Sequence, residues 1–143
     1  MAGIVLVRDV MSKNVRVVRP DSSVKEVVAT MNKFDIGSII VVQGGRPVGI
    51  ITERDILRRI VEQCLAPETL SARQIMTSPV LTINETASVD EAASLMKKKG
   101  VKKLLVMNNQ KLIGMITLTD IVTNVPKMLS ILEELLRPHH RSY

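Results

Sequence analysis

Gly49-Ile50-Ile51-Thr52-Glu53-Arg54-Asp55-Ile56 and Gly114-Met115-Ile116-Thr117-Leu118-Thr119-Asp120-Ile121 are two versions of one stretch. In each, an apolar run that suits a strand passes through a polar turn into the start of an apolar helix, so a hydroxyl and a carboxylate project from a strand-to-helix junction. Two readings of this junction stand side by side. Thr-x-x-Asp is a capping box, in which the threonine caps the new helix and the aspartate reaches back to it. The same arrangement suits a ligand: unpaired N–H groups at a helix start favour a phosphate, and a carboxylate accepts hydrogen bonds from sugar hydroxyls.

Working outward, a constant offset of 65 residues keeps much of the chain in step with itself. It matches Met11 with Met76, Val15 with Val80, Ser23 with Ser88, Glu26 with Glu91 and Met31 with Met96. The same register carries Val41 onto Val106, Gly49 onto Gly114, Thr52 onto Thr117 and Asp55 onto Asp120. Loops drift in length between unrelated segments, so an unbroken offset marks a duplicated supersecondary unit.

Each repeat reads as strand, helix, strand, strand, helix, which makes the chain a mixed α/β (α+β) protein. Residues 15–18 form a short apolar strand closed by Pro20. Ser23 and Glu26 then have capping-box spacing, and Val24, Val27, Val28 and Met31 follow at helical spacing; Ser88 and Glu91 repeat the cap. The β-branched run 39–42 precedes Gly44-Gly45, a hairpin turn, and a returning strand over 47–51. The second repeat predicts strands over 104–107 and 112–116 around a turn at Asn108-Asn109. The second helix of the first repeat is expected to bury Ile56, Leu57, Ile60 and Val61. The expected boundaries are 8–65 for repeat one and 72–125 for repeat two, with a C-terminal helix and tail over 126–143. There Pro126 interrupts the last helix of the repeat, and Met128, Leu132 and Leu135, or Leu129, Leu132 and Leu136, form an apolar stripe.

Composition narrows the function. The chain has 143 residues, 45% of them hydrophobic but only 1% aromatic, so Val, Ile, Leu, Met and Ala must build the core. Phe34 and Tyr143 are the only aromatic residues, too few for a base-stacking platform. The net charge of +6 is spread evenly: each half carries ten basic and seven acidic residues. That excess suits small phosphorylated ligands as well as nucleic acid. One cysteine, Cys64, excludes an internal disulfide and a thiol-rich metal site; it reads as a structural thiol in a reducing compartment. The short apolar start before Arg8 reads as too short for a signal peptide, and no apolar run reaches about 18 residues, so the chain is expected in the cytoplasm and off the membrane. His139-His140 are adjacent and read as tail rather than chelate. No nucleophile-and-base pair or metal constellation appears, so the chain is not expected to be an enzyme.

Two such repeats, each opened by a Val-Met or Ile-Met step and closed by Gly-h-h-Thr-x-x-Asp-Ile (h, apolar), resemble a tandem pair of cystathionine β-synthase (CBS) domains. The resemblance covers about residues 8 to 125 and looks like a stand-alone CBS module. It implies pseudo-two-fold symmetry and two clefts built across the repeats, each able to take AMP, ADP, ATP or S-adenosylmethionine as a regulatory ligand; no permanent cofactor or metal is implied. Carried over, Thr117, Thr119 and Asp120 meet Met11, Arg16, Ile36 and Gly37, while Thr52, Arg54 and Asp55 meet Met76, Leu81, Val101 and Lys102. Ile36 and Val101 would flank adenine. Arg54, Lys102 and Lys103 would then favour more phosphate groups in the Asp55 cleft than in the Asp120 cleft. The implied partners are a second copy of the chain, forming a homodimer, and a regulated protein. The alternative is a nucleic-acid-associated protein using the basic face from Lys97 to Lys103, whose lysines otherwise complement a helix C-terminus.

Overall fold

Capping residues and apolar periods produce the same run of elements twice in a computed structural model that describes residues 4–124 and Leu136. The first pass is α1 (Val7–Val10), β1 (Val17–Val18), α2 (Val24–Lys33), β2 (Ser38–Gln43), β3 (Arg46–Thr52) and α3 (Glu53–Ile56). A π-helical turn over Leu57–Val61 extends α3, and a 3-10 turn at Pro67–Thr69 follows. The second pass is α4 (Ala72–Ile75), β4 (Thr82–Asn84), α5 (Val89–Lys99), β5 (Lys103–Asn108), β6 (Lys111–Thr117) and α6 (Leu118–Asn124). Each pass builds a three-stranded sheet, in the orders β1-β2-β3 and β4-β5-β6. The short strand runs parallel to its neighbour in both, and β2 pairs antiparallel with β3. This is the mixed α+β architecture of two repeats expected from the sequence.

Local chemistry accounts for the boundaries. The hydroxyls of Ser23 and Ser88 cap α2 and α5, accepting from the amides of Glu26 and Glu91 at 3.1 Å. Among the described residues neither glutamate completes the box; beside each cap the next residue donates across a bridge instead, Val24 N–H to the Leu70 carbonyl and Val89 N–H to the Val5 carbonyl, each at 2.9 Å. Gly44 and Gly45 have φ of 59° and 80°, the left-handed pair that a two-residue hairpin turn requires. Pro47, which has no N–H to give the ladder, sits opposite Val42 where the register shifts. The second hairpin turns at Asn109-Gln110, one residue later than expected: Asn108 completes β5, and Asn109 takes the positive φ of 57°.

The chain divides into two compact units whose membership differs from the order of the repeats. The first unit is Asn14–Leu81 with Asn108–Ile113; the second holds the rest. In the first, Val24, Val27 and Met31 of α2 pack on Ile39, Val41 and Ile51 of the sheet, with Ile60 beyond α3. Ala72 and Ile75 of α4 complete that core, so a segment that opens repeat two belongs physically with repeat one. The second unit mirrors this: Val7 of α1 is buried, as are Val89, Ala92, Met96, Leu104, Val106, Ile116 and Ile121. Each fully buried aliphatic side chain contributes about 1.5–3 kcal/mol, which holds α1 and α4 in place although neither is long enough to be stable alone.

Two expectations are corrected. Leu57 and Val61 are each 60% exposed, while Ile60 is buried. Ile56 and Ile60 lie four residues apart and turn one face to the core, leaving Leu57 and Val61 a further step of rotation round the helix. Cys64 is exposed, at a left-handed φ of 55° just after this helix, so it is not a core thiol. The expected kink at Pro126, the apolar stripe and the histidine pair lie outside the described residues, apart from Leu136, which is helical and exposed.

Candidate ligand corners

At Thr52, β3 passes directly into α3 and the capping box is complete. Asp55 Oδ2 accepts from the Thr52 amide at 2.9 Å and from its hydroxyl at 3.1 Å, and Thr52 Oγ1 accepts from the Asp55 amide at 3.3 Å. The aspartate is only 8% exposed. Burial of a charge needs compensation, and Oδ1 has it: the Thr77 hydroxyl donates to it at 3.0 Å and Arg59 Nε lies 3.8 Å away. Arg59 also reaches past the carboxylate, its Nη1 donating to the carbonyls of Ile75 at 3.0 Å and Met76 at 2.8 Å.

Thr117 and Asp120 repeat the backbone part of this corner. Asp120 Oδ2 accepts from the Thr117 amide at 2.9 Å, and Thr117 Oγ1 accepts from the Asp120 amide at 3.0 Å. Side-chain partners differ. Among the described residues Asp120 Oδ1 accepts no hydrogen bond, and the Thr117 hydroxyl does not donate to the carboxylate as Thr52 does. Ser12 and Asn124 occupy the positions 65 residues from Thr77 and Arg59. Ser12 bridges Met115 through backbone bonds of 2.9 and 3.0 Å, as Thr77 bridges Ile50 at 2.8 and 3.0 Å. Asn124 spends its amide on the backbone carbonyl of Asp120 at 2.8 Å, not on its carboxylate.

Within each unit the other expected site residues adjoin the corner of their own repeat, Ile36 and Gly37 beside Thr52 and Val101 and Lys102 beside Thr117, whereas the resemblance grouped them with the opposite corners. Met76 lies on Gly49 so closely that a methyl group there would overlap its thioether, and at Gly114 a Cβ would come within 2.7 Å of the Ser12 carbonyl oxygen and 2.8 Å of Met11 Sδ. Ile36 and Gly37 line a groove of about 360 Å³ with Glu53, Ile56 and Leu57. The Glu53 amide donates to the Gly37 carbonyl at 3.1 Å, which ties that groove to the Thr52 corner. Val101 and Lys102 line the counterpart of about 270 Å³ with Met96, Lys97 and Leu118, tied to the Thr117 corner by Leu118 N–H donating to Lys102 O at 2.9 Å. Arg16 is committed elsewhere, its guanidinium 3.7 Å from the Phe34 ring centroid in a cation–π contact. Arg54, Lys102, Lys103 and Thr119 are exposed, and Leu81 is half-buried. Sequence reading missed Thr77 and Arg59. Arg59 stands four residues after Asp55, the spacing of a helical ion pair, and that signal was available; Thr77 carried none. Among the described residues no cluster of metal-ligating side chains forms, and no helix is long and apolar enough to cross a membrane.

Comparison with known proteins finds the same duplication. The CBS domain family profile fits residues 7–62 and again 72–127. The chain belongs to the CBS-domain family. A Methanopyrus kandleri protein, itself uncharacterized, is 38% identical over 132 residues, spanning 91% of this chain and 67% of its own length. The Bacillus subtilis CBS domain-containing protein YhcV is 28% identical over 118 residues, covering 82% of this chain and 84% of its own. Among solved structures, an uncharacterized conserved protein from Pyrococcus horikoshii superposes with a TM-score of 0.75 at 27% identity over the whole of both chains. A CBS domain protein from Pyrobaculum aerophilum complexed with AMP does so with a TM-score of 0.77 at 25% identity, covering 89% of this chain and 98% of that one. Tandem CBS domains are regulatory ligand-binding modules.

Proposed function

We propose that this chain is a sensor of adenosyl nucleotides, binding AMP, ADP, ATP or S-adenosylmethionine at its Thr-x-x-Asp corners and passing the bound state to a partner protein. The observation that carries this is the doubled corner: in each unit a threonine and an aspartate close a strand-to-helix turn, and a backbone hydrogen bond joins that turn to a concave groove. The AMP held by the Pyrobaculum aerophilum relative supports an adenine nucleotide as the ligand class. In this reading the aspartates take ribose hydroxyls, the threonines lie towards phosphate, and Ile36 and Val101 flank adenine. Arg54 is exposed and, among the described residues, unpaired, whereas Thr119 stands at its counterpart; the Asp55 corner is therefore assigned the greater preference for polyphosphates. A reducing, cytoplasmic compartment suits the single exposed cysteine.

A homodimer is part of the same proposal. Leu57 is exposed and lines a groove whose charged side chains are Asp35 and Glu53, whereas the matching groove of the second unit carries Lys97 and Lys102. Apolar surfaces of opposite charge fit the first unit of one copy to the second unit of another, an arrangement that a two-fold axis closes.

Calorimetric titration of the wild-type chain with AMP, ATP and S-adenosylmethionine, at low and high salt, tests the ligand reading. At least one of the three is expected to bind with weak salt dependence; absence of binding by all three would overturn it. Steep salt dependence without nucleotide binding would instead mark a polyanion-binding protein. Sedimentation analysis tests the dimer, and a monomer at high concentration would contradict it.

A further inference from the structure

We propose that Asp55 is a latch rather than an open ribose site, holding the segment Ile75 to Thr77 against β3, and that nucleotide binds first at Asp120. This rests on the nucleotide reading above and goes beyond it by separating the two corners. Both oxygens of Asp55 are occupied by the chain itself: Oδ2 by the amide and hydroxyl of Thr52, Oδ1 by the hydroxyl of Thr77 with Arg59 alongside. A ribose hydroxyl arriving there must displace a hydrogen bond the protein already makes, so it exchanges one contact for another and gains little. At Asp120 an incoming hydroxyl meets an oxygen that accepts no hydrogen bond among the described residues, and the Thr117 hydroxyl has its proton to give. There the contact is a gain.

The latch also has something to hold. Arg59 binds the carbonyls of Ile75 and Met76, Thr77 pairs with Ile50, and Met76 covers Gly49. Carboxylate, guanidinium and hydroxyl thus fix three consecutive residues immediately before the chain leaves the first unit at Leu81. A nucleotide that did take Asp55 would withdraw the acceptor from Thr77 and loosen that segment. Occupancy of the Asp55 corner is thereby coupled to the docking of α4's C-terminal end, with differential affinity for the docked and released states as its driving force.

Thr77→Val removes the hydroxyl, keeps the shape, and touches no proposed ligand contact; Ser12→Ala makes the matching change in the other unit. AMP titration of the wild type is expected to show one tight event per chain. Thr77→Val should leave that event in place and strengthen a second one by about tenfold or more, the value of one freed charge-assisted hydrogen bond. Ser12→Ala should change neither. A Thr77→Val chain whose second event is unaltered would overturn the proposal. Should no nucleotide bind even the wild type, the sensor reading fails, and hydrogen exchange decides the latch by itself. The amides of Ile50 and Thr77 should then exchange about tenfold faster in Thr77→Val, while those of Ser12 and Met115 stay unchanged in Ser12→Ala. Equal exchange in the wild type and Thr77→Val would overturn the latch.

Discussion

The Thr52 and Thr117 corners share a backbone and differ in the side chains around it. Thr77, Arg59 and Arg54 surround the first; Ser12, Asn124 and Thr119 stand at the corresponding positions of the second. The first corner has turned its aspartate inward, where it accepts from Thr52 and Thr77 and faces Arg59. The second keeps only the backbone half of the same network. A duplicated motif can therefore carry a structural role in one copy and a binding role in the other, and the capping and ligand readings of Thr-x-x-Asp need not compete. Here one copy leans to each.

The comparison can be broken most forcefully in the core. Ile75 of α4 is buried in the first unit, whereas Val10, its counterpart in α1, is half-buried. Ile75→Ala is expected to cost about 2–5 kcal/mol of stability in denaturant unfolding, and Val10→Ala clearly less. Equal losses would mean that the two opening segments are held alike. At the corners themselves, Asp55→Ala leaves the Thr77 hydroxyl without its acceptor and Arg59 without its carboxylate counter-charge, at a cost of about 1–3 kcal/mol. Asp120→Ala gives up little beyond its part in a helix cap, about 1 kcal/mol or less. Thermal unfolding of the two variants side by side reads that difference directly, and a larger loss at Asp120 would reverse the assignment.

The smallest effect sharpens the contrast between the grooves. Exposed ion pairs are worth about 0.2–1 kcal/mol, so Lys97→Glu should weaken self-association by roughly two- to fivefold in sedimentation equilibrium. Combining it with Glu53→Lys should restore part of the loss if the acidic groove of one copy meets the basic groove of another. Additive weakening in the double variant would show that the two grooves do not face each other.

Much of the fold was legible because it rests on local chemistry. Ser23 and Ser88 cap helices, Gly44-Gly45 turns a hairpin, and the 65-residue register predicts that whatever one repeat does the other does too. The partnership of α1 and α4 was not legible. These four-residue helices carry two apolar positions each, enough to predict burial but not to say in which core. Gly49 and Gly114 held the hint, since a strand glycine marks a close approach and Met76 and Met11 supply it. Burial of Leu57 and Val61 was overestimated because an apolar run wider than the core needs looks the same as one that fits. At the site, the repeated aspartates suggested equivalence. What separates them is Thr77, 22 residues further on in sequence, a distance at which no spacing rule speaks.

Calorimetric titration of AMP into Asp120→Ala beside the wild type tests the separation of the two corners most directly. The account predicts that the tight event of the wild type weakens by about ten- to hundredfold or vanishes, as expected when a charged acceptor for ribose is lost. A variant that kept the wild-type isotherm would place the nucleotide elsewhere and contradict the account.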